Sequence, residues 1–135
     1  MLPVQFPHVL GFDAAGTVVA LGDGCSGRLH VGDSVWADLG GKWPLRGGQL
    51  GAWAEYALAD ENQVDLKPTT MSFAAAGTLP LVGLTVLQAF RKMGGVDLFR
   101  NATVVITSGS GGTGFVAIQM ARIYGSRRIV TATSP

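Results

Sequence analysis

Val104-Val105-Ile106-Thr107-Ser108-Gly109-Ser110-Gly111-Gly112-Thr113-Gly114-Phe115-Val116 is the stretch on which the fold turns. The apolar, β-branched run at 104–106 predicts a strand buried on both faces. Gly109, Gly111 and Gly114 then match G-x-G-x-x-G. That spacing permits a sharp turn, a close backbone approach to a pyrophosphate, and tight packing of a following helix on the sheet. Val116, Ala117, Met120, Ala121 and Ile123 recur at helical spacing, and Gly125 is placed to stop the helix. A second β run, Ile129 to Thr133, follows at once. Strand, glycine turn, helix and strand in that order form the opening βαβ of a dinucleotide-binding domain. A free helix N-terminus would face the phosphates.

Two rival phosphate loops fail. A P-loop closes on Gly-Lys-Ser/Thr, whereas Gly114 is followed by Phe115 and Val116. A kinase glycine loop matches 109–116 literally, but Gln119 stands where Val116-Ala117-Ile118 would need Lys, and neither H-R-D nor D-F-G occurs.

Outward from this motif, the 135 residues carry 47% hydrophobic side chains, so the chain can bury a core. Gly contributes 20 residues, about double its usual ~7% share, which suits tight β turns and a nucleotide loop. A net charge of +1 gives no sign of a nucleic-acid partner. No apolar run reaches the ~18 residues of a membrane span, and no membrane partner is expected. Met1 to Pro7 lacks a basic n-region and is not read as a signal peptide. One cysteine, Cys25, excludes an internal disulfide framework and a cysteine-cluster zinc site. A reducing, cytoplasmic compartment is expected.

Residues 1–67 read as β-rich. Val9 to Leu21 is β-prone, Gly22-Asp23-Gly24 is a turn, and Val31-Gly32-Asp33 turns into a short strand ending near Trp36. Residues 40–51 read as a loop. Ala52 to Leu58 alternates, with Tyr56 on one face and Glu55 on the other, and predicts a half-buried strand with Tyr56 in the core. Val64 and Leu66 continue the pattern, and a small barrel or sandwich follows. At Pro68 the period changes. Thr70 or Ser72 can cap a short helix over 73–76, and Leu81 to Phe90 predicts a longer helix buried on most sides. The expected domains are therefore 1–68, β-rich, and 69–135, a helical connection and the start of the α/β domain.

The chain resembles the medium-chain dehydrogenase/reductase superfamily, in its zinc-free quinone oxidoreductase-like branch. The carriers are Gly11-Phe12-Asp13-Ala14-Ala15-Gly16-Thr17-Val18, Val31-Gly32-Asp33-Ser34-Val35 and Gly51-Ala52-Trp53-Ala54-Glu55-Tyr56. Lys67-Pro68, Ala74-Ala75, Pro80-Leu81-Val82-Gly83-Leu84-Thr85 and the glycine motif complete them. The resemblance implies part of a GroES-like β domain followed by the opening of a Rossmann domain. It also implies hydride transfer from NADPH to a quinone, enone or related carbonyl compound, and a homo-oligomer for the full-length form. Relative to such a form both ends are short, so the chain is expected to be a fragment, inactive and marginally stable alone. An inactive cofactor-binding module and a structural or interaction protein using the same fold stay open as alternatives.

Zinc members of the superfamily have Gly-His-Glu where this chain has Gly11-Phe12-Asp13, and Phe12 cannot hold a metal. His8 and His30 stand apart from one another, and no metal site is expected. Asp13 is read as a turn residue bonding local backbone N–H groups. The expected cofactor contacts are Gly111, the N–H groups of Gly112, Thr113 and Gly114, and the Ser110 hydroxyl. By resemblance, Thr85 lies near the nicotinamide end. No acid stands about 20 residues past the motif to bond a ribose 2′-OH, whereas Thr133 and Ser134 offer hydroxyls there, so NADPH is preferred over NADH. Arg127 and Arg128 precede the second strand and are expected at its wrong end for this task. No catalytic residue is assigned.

Overall fold

The structure, a computed structural model, describes residues 9–40 and 51–133. The chain divides into two compact units, Met1–Leu81 and Val82–Pro135.

In the first unit, β1 (Asp13–Thr17), β2 (Ser34–Asp38) and β3 (Val64–Leu66) form an antiparallel sheet in that order. Ala15 pairs with Trp36, and Trp36 in turn with Asp65. Backbone bonds prolong the pairing past the strands, from Leu39 N to Phe12 O and from Lys67 N to Ser34 O. The loop between β1 and β2 is tied down by Arg28. Its guanidinium donates to the carbonyls of Glu61 and Val64, both at 2.6 Å, and lies 3.1 Å from the Asp65 carboxylate. Leu29, Ala37, Leu39 and Ala76 are the buried apolar residues. Ala76 belongs to α1 (Phe73–Ala76), whose N-cap Ser72 accepts from Ala75 N at 3.2 Å, as the residue types anticipate.

The expected strand at 52–58 is absent. Residues 52–56 turn, and only Ala52 N to Gly11 O and Trp53 N to Leu10 O join this stretch to the 9–12 segment. Tyr56 is 68% exposed and is no core residue. Alternation marks a segment able to lie on a sheet, but a strand also needs a partner along its length. Among the described residues none extends past Trp53. The loop expected at 40–51 falls mainly outside the described residues.

α2 (Pro80–Lys92) begins in the last residues of the first unit and runs into the second. Gly94 and Gly95, at φ +123° and +98°, stop it. Contrary to expectation it is not buried on most sides: past its first residue, Pro80, only Val86 and Phe90 are buried, because a neighbour covers i and i+4 on one side. Next come a 3-10 turn at Val96–Phe99, β4 (Thr103–Ile106), α3 (Gly112–Ile123) and β5 (Arg128–Thr131). β4 and β5 are parallel, with Thr103 opposite Arg128 and Ile106 opposite Thr131. This is the expected βαβ, and Gly125, at φ +85°, ends α3 as the sequence indicated.

Val86, Phe90, Phe99, Ala117 and Ala121 form the core of this unit, with Val104, Ile106 and Ile129 packed against it. The Phe90 and Phe99 rings stack at 4.0 Å between centroids. β4 is not buried on both faces. Val105 is 71% exposed, because the covered face is the one that carries Val104 and Ile106.

Candidate functional site

The turn from β4 into α3 is held from below and left open above. Gly109 N donates to Ala132 O at 3.0 Å, Gly111 N to Ser108 O at 3.0 Å, and Phe115 N to Gly111 O at 2.8 Å. That last bond opens the helix. The N–H groups of Gly112, Thr113 and Gly114 therefore precede any intrahelical acceptor, at the positive end of the helix dipole. Ser108 takes φ +56°, a left-handed conformation that costs an L-residue about 1–2 kcal/mol. The hydrogen-bonded turn maintains it.

The glycines of this turn are of two kinds. A methyl group on Gly114 would overlap the Ser108 carbonyl, and one on Gly109 the Thr131 side chain. Gly109 and Gly114 are thus demanded by packing. A methyl on Gly112 would meet nothing within 4 Å, and one on Gly111 only the Ser108 oxygen at 3.4 Å, an ordinary contact. Gly111 sits at φ −76°, which any residue adopts. Neither backbone strain nor crowding accounts for Gly111 and Gly112. Bare backbone facing open space at a helix N-terminus fits a ligand phosphate.

Ser110, Gly111, Gly112, Thr113 and Gly114 thus share one turn, with Ser110 and Thr113 exposed. The Gly109–Ala132 bond brings Thr133, also exposed, beside them, whereas Ser134 lies outside the described residues. Thr131 carries a structural role that the sequence did not announce. Its hydroxyl donates to Ile106 O at 2.7 Å and ties β5 to β4 where the glycine turn departs. Arg127 and Arg128 do stand at the amino end of β5, with both amides bonded to Ala102 O. A four-residue strand, about 13 Å, separates that end from the turn. Thr85 is exposed on α2, a separate element.

Asp13 is a correction. It is a strand residue whose Oδ1 accepts from Leu81 N at 2.6 Å, capping the start of α2 from 68 positions away. The available signal was a missing local cap. Leu79, which precedes Pro80, has no side-chain acceptor, so the first turn must be satisfied from elsewhere. Glu55 and Tyr56 are both exposed and form no acid–base pair in the structure. His30 is at the surface, its Nδ1 3.7 Å from the Asp33 carboxylate, and His8 lies outside the described residues. Among the described residues, no three His, Cys, Asp or Glu side chains converge as a metal site would need.

Residues 2–69 match the model of the alcohol dehydrogenase GroES-like domain. The chain belongs to the medium-chain dehydrogenase/reductase superfamily, among its quinone oxidoreductase-like members. It is 38% identical over 135 residues to the chloroplast envelope quinone oxidoreductase homolog of Arabidopsis thaliana, covering 98% of this chain and 38% of the relative. It is 32% identical over 129 residues to the NADPH-dependent alkenal/one oxidoreductase of the same plant, covering 95% and 32%. An alcohol dehydrogenase superfamily protein from Novosphingobium aromaticivorans superposes with a TM-score of 0.81 at 35% identity, covering 96% of this chain and 37% of that one. This dehydrogenase/reductase chain thus spans about a third of the length of the relatives it matches. Its two units are a GroES-like β unit and part of a Rossmann-like parallel sheet.

Proposed function

We propose that the chain supplies the phosphate-holding corner and part of the substrate unit of a zinc-independent NADPH oxidoreductase acting on quinones, enones or related carbonyl compounds. The observation that carries this reading is Gly112, bare backbone in open space at the N-terminus of α3, with Gly111 beside it in ordinary contact with the Ser108 carbonyl. The names of the two plant relatives support it, one a quinone oxidoreductase homolog and the other an NADPH-dependent alkenal/one oxidoreductase.

Bound NADPH would supply the hydride, so the protein's task is to bind and orient. The N–H groups of Gly112, Thr113 and Gly114 would hold the pyrophosphate, with the Ser110 hydroxyl beside them. Thr133 would offer its hydroxyl to the 2′-phosphate, and Thr85 would border the nicotinamide end. Phe12 occupies the position at which the superfamily's zinc enzymes carry a histidine, and an aromatic ring donates nothing to a metal.

Fluorescence enhancement of NADPH on titration with the chain is the test. Saturable binding, tighter than for NADH and lost in Gly112→Val with the melting temperature unchanged, is expected. Equal or tighter NADH binding would sink the cofactor assignment. One zinc per chain, lost together with quinone reduction when a longer form is chelated, would sink zinc independence.

A further inference from the structure

Charge is unevenly divided along the chain. Met1–Leu81 has eight acidic and four basic residues, and Val82–Pro135 one acidic and six basic. A net charge of +1 therefore conceals one unit at −4 and another at +5. The six cations of the second unit, Arg91, Lys92, Arg100, Arg122, Arg127 and Arg128, are all exposed.

The fold gathers them at one end of that unit. Arg91 and Lys92 close α2, and Arg122 lies in the last turn of α3. Arg100 leads into β4, and Arg127 and Arg128 open β5. Asn101 N donates to Gly125 O at 2.8 Å, and Arg127 N to Ala102 O at 2.9 Å, which joins the turn before β4 to the turn after α3. The Phe90–Phe99 stack sets the end of α2 against the segment that carries Arg100. The strands are parallel, so the glycine turn departs from the opposite end, about 13 Å away along β4. The basic end is no part of the dinucleotide corner.

Helix dipoles account for Arg91, Lys92 and Arg122, which sit at helix C-termini. They account neither for Arg100, Arg127 and Arg128 nor for the apolar side chains at the same end. Met93, Leu98 and Ile123 are 64%, 60% and 78% exposed, each within two residues of a cation. Exposed cations with exposed apolar side chains as their sequence neighbours suit an anionic bilayer surface. The cations meet lipid phosphates, and the apolar chains reach the acyl boundary. Single-stranded nucleic acid calls for exposed stacking rings, whereas here Phe99 is buried and Tyr124 half-buried.

We propose that the basic end of the second unit docks on an anionic lipid bilayer. This is contact with the surface, since no described helix is long and apolar enough to cross a membrane. It departs from the expectation of no membrane partner, which rested on the lack of a long apolar run and not on how the fold distributes charge.

Sedimentation of the 135-residue chain with vesicles of phosphatidylcholine, alone or with phosphatidylglycerol added, tests it over a range of sodium chloride. Binding to the phosphatidylglycerol vesicles alone, weakening as salt rises, is the expected result. Each cation should contribute about fivefold, so the triple variant Arg100→Gln/Arg127→Gln/Arg128→Gln should lose about 100-fold. Leu98→Ser/Ile123→Ser should lose severalfold with its charge intact. Circular dichroism and NADPH fluorescence should be unchanged in both variants, which separates this proposal from the cofactor reading. Equal binding to neutral vesicles, no binding at low salt, or undiminished binding by the triple variant would overturn it. So would a salt-sensitive dimer formed without vesicles and abolished by the triple variant, which would make the acidic unit of a second copy the partner. Preference for double-stranded DNA over the vesicles would overturn it as well.

Discussion

Two glycine corners of this chain look alike in sequence and differ in kind. In the first unit, Gly11 and Gly51 lie where segments 9–12 and 51–53 cross. A methyl on Gly51 would strike the carbonyls of Val9 and Leu10, and Gly11, at φ +93°, lies under the Trp53 indole. Both are explained by the chain's own conformation and packing. In the second unit Gly109 and Gly114 are explained in the same way, but Gly111 and Gly112 are not. A glycine pressed by its neighbours reports on packing. A glycine in open space at a helix N-terminus is not required by packing and leaves room for a phosphate to approach the backbone.

The largest effect that would break this comparison is at Gly114. Gly114→Ala should cost about 3 kcal/mol, since its methyl meets backbone that cannot move aside, and thermal melting measures it. Retained stability would mean that the Ser108 carbonyl yields, and the two kinds of glycine would merge. Gly112→Ala sharpens the contrast. Its stability should stay within about 0.5 kcal/mol of the parent, while NADPH binding weakens at least tenfold, about 1.4 kcal/mol. A large stability loss there would remove the argument for a ligand.

Asp13 ranks next. Asp13→Ala should cost about 1 kcal/mol by uncapping α2, and Asp13→Asn, which keeps an acceptor, should recover part of it in chemical denaturation. Equal losses in both variants would show that the charge matters rather than the bond. The smallest effect is at Glu61. Hydrogen bonds from the Ser26 backbone and hydroxyl, with Arg28 nearby, hold this carboxyl below its ordinary value of 4.5. The folded form is therefore the stronger acid. Its contribution is complete above the ordinary value and fades as pH falls from 4.5 through the lowered one. Glu61→Gln should flatten the decline in melting temperature over that window, and identical profiles for parent and variant would discard the effect.

How far the site was legible depended on how locally it is made. The turn from Ile106 to Gly114 was readable because strand propensity, glycine spacing and helix periodicity fall in one continuous stretch. The cap on α2 was not, because Asp13 and Leu81 are 68 positions apart and only the β1 backbone brings them together. Nor was the state of 52–58, where alternation without a partner among the described residues leaves Tyr56 in solvent. The basic end of the second unit was hidden for a related reason. A net charge of +1 averages over units of opposite sign, and the six cations lie in four separate places along the sequence.

While leaving Thr70 and Ser72 both open as the cap of α1, the sequence alone set the order of the helices and strands from Pro80 to Thr131, the stop at Gly125 and the position of the glycine turn. Each follows from interactions between residues a few positions apart. Only the tertiary structure decided which glycines are crowded, which face of β4 is covered, what caps α2, and where the cations of the second unit assemble. These depend on contacts between distant segments. Local propensity sets how a stretch bends, while the long-range pairings settle what it then touches.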